Sequence, residues 1–221
     1  MGWAAVYSHD MRRVMAAIAA TVMWSATIIA QPTTTSPVAA QASGGARATK
    51  VSTEFTCPAD LGVGVKTRRR FCDVIIGRTP ADGVVVGVPA HTGAATLLFD
   101  LHNRFLTMPE VDAIGRLPQV ALVAVVNSAG GEIDRAAVMG QMRNATDVFD
   151  QLPGTGPGGV KLVAPGRVES IRITIPAGIS SVSIVGVSLT VEQATGHEIF
   201  DAPGRPVAIV SNVRIQYAPI R

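Results

Sequence analysis

Apolar and polar positions alternate along much of this chain. Ile171, Ile173 and Ile175 share one parity, with Ser170, Arg172 and Thr174 on the other. Val185, Val187, Leu189 and Val191 likewise share a parity, with Gly186, Ser188 and Thr190 between them. A period of two with one polar face marks a half-buried antiparallel strand, because successive side chains leave opposite faces of the pleat. Strands are predicted over residues 84–88, 96–105, 120–127, 168–175, 181–191 and 207–217, all rich in β-branched or aromatic residues. The run Val120–Val126 is apolar at both parities and reads as an interior strand. Clusters such as "TPADG", "NSAGGE", "LPGTGPGG", "IPAG" and "DAPGRP" separate these runs as turns.

Helical patterning is sparse. Residues 109–117 read as one short turn with Pro109 at its first position. Residues 132–149 fit either an amphipathic helix or a strand leading into a loop, and the neighbouring strands favour a strand for the first half. Short strands with Gly/Pro turns predict an all-β fold, an antiparallel β-sandwich, with a jelly roll among the forms it admits.

The amino end departs from this pattern. Arg12 and Arg13 precede an uncharged, Ala-rich stretch from Val14 to Ala30, and "AQA" at residues 40–42 has the form of a cleavage site. This is the layout of a secretory signal, cleaved there or after Ala30, or retained as an anchor. Either way the positive pair places the rest of the chain outside the cytoplasm. Residues 1–30 are therefore expected to be signal or anchor. Residues 31–53, rich in Thr, Ser, Pro, Ala and Gly, are a flexible linker, and 54–221 form one β-sandwich domain. Only the amino-terminal segment, if uncleaved, would touch a membrane.

Charge then narrows the partners. The full chain has 19 basic and 16 acidic residues; without residues 1–42 it keeps 17 and 15, a formal +2. That is no footprint for nucleic acid. Both tryptophans, Trp3 and Trp24, precede the linker, which argues against a sugar platform built on indole stacking.

The two cysteines, Cys57 and Cys72, stand fifteen positions apart. Export makes a disulfide their simplest fate, and no C-x-x-C redox motif or four-ligand zinc pattern competes. Between them lies "KTRRR". If residues 63–76 are extended, Lys66, Arg68 and Arg70 share a face as a basic ladder, either for anionic groups on an envelope polymer or as a charged sheet edge that resists aggregation. In "LLFDLHNRF", Asp100, His102 and Arg104 form a polar row about 7 Å apart, opposite Leu97, Phe99 and Leu101. They are ligand-binding candidates against the alternative of an ordinary solvated strand face, with Asp100 placed to orient His102 as a base.

Other motifs lack their context. Gly154, Gly156 and Gly159 spell G-x-G-x-x-G, but no helix pattern comes after them, so they read as a tight loop without a cofactor. His91, His102 and His197 lack metal-ligand spacing, and no metal is expected. The expectation is an exported, non-catalytic binding or scaffolding module for an envelope glycan or protein. The alternatives are a jelly-roll hydrolase using Asp100, Glu198 and His102, and a structural envelope component.

Overall fold

The computed structural model describes residues 49–52, 54–107 and 117–220. Residues 1–48 and 108–116, which include the expected signal, most of the linker and the expected helical turn, lie outside the described residues.

Among the described residues, twelve antiparallel strands build two sheets. Sheet 1 runs in the order β3 (Asp60–Val63), β4 (Arg70–Ile75), β12 (Pro206–Tyr217), β6 (Ala95–Leu106) and β9 (Val163–Ile175). Its sixth strand, β1 (Thr49–Ser52), pairs with the second half of β12. The sandwich thus begins by residue 49, ahead of the expected boundary at 54. Sheet 2 runs β2 (Phe55–Thr56), β5 (Val84–Gly87), β10 (Ser181–Gln193), β7 (Gln119–Asn127) and β8 (Glu132–Gly140), with β11 (Gly196–Phe200) also on β10. Residues 132–140 are strand, and short 3-10 turns at Ala145–Asp147 and Pro157–Gly159 come next in the loop before β9.

The pairing is nested. β4 pairs with β12, β5 with β10, β6 with β9 and β7 with β8. Eight strands folded as one long hairpin, then rolled so that successive pairs alternate between sheets, make a jelly roll.

The core lies between the sheets. Leu97, Phe99 and Leu101 of β6, Val74 of β4 and Val210 of β12 meet Val84 and Val86 of β5, Val123 and Val125 of β7 and Ile184 of β10. Fully burying each such side chain contributes about 1.5–3 kcal/mol. Ile173 and Ile175 face this core, while Arg172 and Thr174 are exposed, as the alternation predicts. On β10 the expected parity fails. A bulge between Gly186 and Ser188 shifts the register, so Val182 and Ile184 face the core before it and Leu189 and Val191 after it, without Val185 or Val187. Gly186 sits where the sheets close on each other, bridging to Ile76; a Cβ there would lie 2.8 Å from the Ile75 carbonyl carbon and oxygen.

Cys57, just after β2, bonds Cys72 of β4 with a Cα–Cα distance of 5.9 Å. The disulfide therefore ties the edge of sheet 2 to sheet 1. Closing a loop of this length contributes roughly 3 kcal/mol by restricting the unfolded chain.

Candidate functional site

The outer face of sheet 1 is roofed. After β8, residues 141–162 cross this face before the chain enters β9. Phe149 and Leu152 from this cap pack on Leu61, Phe71, Val163 and Ile209, forming a second, smaller core outside the sandwich. The cap is stitched to the β3–β4 turn. Val65 N–H donates to the Gln151 carbonyl at 2.9 Å, and Asp150 accepts from the Lys66 and Thr67 amides at 2.9 and 2.8 Å and from the Thr67 hydroxyl. Burial pushes the Asp150 carboxyl up, but these donors and the Gln151 amide together outweigh it and hold it below its ordinary value. Gly64 permits the approach, since a Cβ there would sit 2.3 Å from Asp150 Oδ2.

This roof overturns the expected solvated face of β6. Asp100 and His102 do lie opposite the sandwich core, but both are buried. Asp100 accepts from Arg69 Nη1 at 2.7 Å, Asn212 Nδ2 at 2.9 Å and Ser170 Oγ at 3.0 Å. His102 is sealed between the Phe71 and Phe149 rings, with centroids 5.6 and 4.9 Å away. Its Nδ1 contacts the Gly166 carbonyl at 3.2 Å, and its Nε2 contacts Ser211 Oγ at 2.9 Å. Burial lowers the imidazole pKa to about 4, so the neutral ring donates from Nδ1 to the carbonyl and accepts the Ser211 proton at Nε2. Arg104 pairs with Asp73 at 3.0 Å; burial raises the Asp73 carboxyl above its ordinary value despite that guanidinium. The row thus has three separate sets of partners and does not converge on one ligand position. The Gly166 carbonyl, and not Asp100, orients His102.

The basic ladder also gives way. Residues 63–76 do not form one strand, because the chain turns over 64–69 between β3 and β4. Lys66 and Arg68 lie in the turn, with Arg68 at φ 57°, and Arg70 opens β4. Arg70 pairs with Asp60 at 2.9 Å, and both side chains are about half exposed (44% and 45%), where an ion pair contributes little. Arg69, outside the expected ladder, reaches the buried Asp100.

Two clefts open beside the cap. One of about 520 Å³ is lined by Val65, Lys66, Met142, Val148, Lys161 and Leu162, among others. The other, about 740 Å³, lies across Val148 and Phe149 and is flanked by Arg143 and Arg167. The glycine segment reaches the first through Pro157, with Val160 just after it. Its turn closes with Gly154 N–H donating to the Gly159 carbonyl at 3.0 Å, and Gly158 and Gly159 take positive φ. No helix comes after it, and the chain runs into β9.

The hydrolase constellation is not assembled. Asp100 is on sheet 1, whereas Glu198 is exposed on β11 of sheet 2, bonded to Gln193 at 2.8 Å. The Ser211–His102 pair has a nucleophile–base spacing, but both residues are fully buried. Ser211, Asn212, Arg69 and Asp150 do not stand out in the sequence as site residues. Two of them carry a signal: "SN" interrupts the apolar alternation of residues 207–215, where β12 bulges and Asn212 takes φ 55°. Asp150 has none, because its partners lie more than eighty residues away.

No family model matches the chain, and no curated protein matches it. It is similar to two solved structures from Porphyromonas gingivalis W83. The K1 cleaved adhesin domain of Lys-gingipain shares 8% identity over 79% of this chain and 95% of that one, with a TM-score of 0.33. The K3 cleaved adhesin domain shares 12% over 67% and 73%, with a TM-score of 0.31. Likeness this slight carries no argument about function.

Proposed function

We propose that this protein is an exported, non-catalytic binding module whose ligand surface is the cap on sheet 1. The observation that carries this reading is the pair of clefts flanked by cations. Lys66, Lys161, Arg143 and Arg167 line them, and none of these side chains enters an ion pair among the described residues. Acids near them are already engaged: Asp150 by the turn amides, Asp147 by the Arg143 and Asn144 amides, and Asp60 and Asp73, which Lys161 attracts, by Arg70 and Arg104. Clefts of several hundred cubic ångströms with few polar groups are the usual form of a ligand site.

The partner on this reading is an acidic component of the cell envelope, either a glycan or a protein. Lys66 and Arg68 offer charge at the rim. Arg69, Asp100, His102 and Ser211 hold the floor beneath the cap, while Arg70 ties β4 to β3 and Arg104 ties β6 to β4 across β12. The sealed Ser211–His102 pair and the separation of Asp100 from Glu198 favour binding over hydrolysis. The Cys57–Cys72 disulfide supports an oxidising compartment, in line with the amino-terminal segment.

The test is a binding array of neutral and acidic envelope glycans and acidic envelope proteins. It compares the wild type with a K66A/R68A/K161A variant whose fold is checked by circular dichroism. Selective binding of acidic partners, weakened in the variant, is expected. Equal binding by both proteins, or turnover of a glycan that S211A abolishes, would overturn the reading.

A further inference from the structure

We infer that the smaller cleft takes a small organic acid with an apolar body, such as an acyl or aryl carboxylate; this rests on the reading that the cap is the ligand surface. The walls and the charges point to the same ligand. Val65, Met142, Val148, Pro157 and Leu162 give an apolar lining, and Val65 and Leu162 are exposed there, at 47% and 42%. Two lysines, Lys66 from the β3–β4 turn and Lys161 from the end of the cap, face the same space from different parts of the chain.

Lys161 is directed there by its packing. A Cβ on Gly154 would lie 2.4 Å from Lys161 Cγ, so the lysine stem runs over a position that only glycine leaves clear. The Lys161 amide donates to the Leu152 carbonyl at 2.7 Å, and its carbonyl accepts from Thr107 Oγ1. The backbone is therefore pinned while the ammonium enters no ion pair among the described residues. The carboxylate that lines the cleft, Asp150, has its oxygens turned to the Lys66, Thr67 and Gln151 amides and the Thr67 hydroxyl. Among the described lining residues, an incoming acid thus meets two ammonium groups beside one carboxylate that is already satisfied; Asp60 and Asp73, which Lys161 also attracts, are each paired with an arginine.

The lining also argues against a sugar. Among the described residues the cleft has no Trp or Tyr in its lining, and its aromatic ring, Phe149, is packed on His102 with the Arg69 guanidinium 5.7 Å from the ring centroid. A uronate polymer would use the lysines but leave the apolar wall in water. An acyl or aryl acid uses both, since burying apolar surface is favourable in proportion to its area. A volume of about 520 Å³ accommodates a chain of a dozen carbons.

The experiment is isothermal titration calorimetry at pH 7.5 with three probes: dodecanoate below its micelle concentration, dodecanol and acetate. Dodecanoate should bind at least about tenfold more tightly than either of the others, because each lacks one half of the recognition. K66Q/K161Q should weaken dodecanoate by about tenfold or more while leaving the melting temperature nearly unchanged, because neither ammonium enters an ion pair among the described residues and glutamine keeps most of the stem that packs over Gly154. L162D, which puts a like charge in the wall, should also abolish binding. Equal affinity for dodecanol and dodecanoate, or dodecanoate binding that ignores the lysines, would overturn the inference. Absence of dodecanoate binding alongside cap-dependent capture of an acidic glycan would sink this ligand class and leave the binding-module reading standing.

Discussion

His102 makes the fold acid-sensitive in a defined window. Its ordinary pKa of 6.5 drops to about 4 in the fold, with burial between Phe71 and Phe149 as the main cause. The Gly166 carbonyl and Asp100 pull it back up, and Arg69 pushes it further down. Between these two values the unfolded chain holds a proton on this ring that the folded chain does not. Stability is therefore fully present above pH 6.5 and is lost as the pH falls towards 4. The slope reaches about 1.4 kcal/mol per pH unit, for a total near 3 kcal/mol.

Carboxylates act in a different range. Asp60, lowered chiefly by its hydrogen bond from Arg70, and Asp150, lowered by its amide donors against burial, lose their contributions only as the pH falls below the ordinary carboxylate value. Asp73, raised by burial, works in the opposite sense, because the folded protein takes up its proton first. These groups are common to the wild type and His102→Gln, so the difference between the two isolates the imidazole. Urea unfolding at half-unit steps from pH 4 to 7.5, with the disulfide intact, should give a steeper curve for the wild type. Parallel curves would refute the reasoning.

The packing predicts three further outcomes. Replacing both cysteines with alanine should lower the unfolding free energy by roughly 3 kcal/mol in urea titrations, with little change in far-ultraviolet circular dichroism. Asp150→Asn should cost about 1–3 kcal/mol and free the Lys66 and Thr67 amides, visible as faster hydrogen exchange confined to that turn. Gly186→Ala should cost about 1–3 kcal/mol in thermal unfolding, since the new methyl meets backbone atoms of Ile75, which cannot rotate away as a side chain would.

The strands are legible because alternation is a local property. Ile171, Ile173 and Ile175 show their faces without reference to any other segment, and so does the uniformly apolar β7. The disulfide is legible from spacing and compartment. β11 is not, because its five residues, "GHEIF", do not alternate, are mostly exposed, and gain their register from β10. Parity fails on β10 because one bulge residue inverts every side chain after it.

The polar residues are the hardest to place. Asp100, His102 and Arg104 do share one parity of a strand, yet their environment depends on a cap that starts some forty residues later. A polar row has the same pattern in sequence whether it faces water or a roof with its own partners. The basic run misleads for a related reason. Gly64, held to Asp150, marks a turn where an extended ladder is expected, and Arg69 reaches inward while Lys66 and Arg68 stay out.

The central claim is that the cap on sheet 1 is the ligand surface. Amide chemical-shift mapping of the isotope-labelled protein during titration with dodecanoate tests it most directly. The account predicts shifts gathered at residues 65–67 and 142–162, with little change at β5 and β11. Saturable shifts concentrated on β11 and the end of β10, around Glu192, His197 and Ile199, with the cap unmoved, would contradict it.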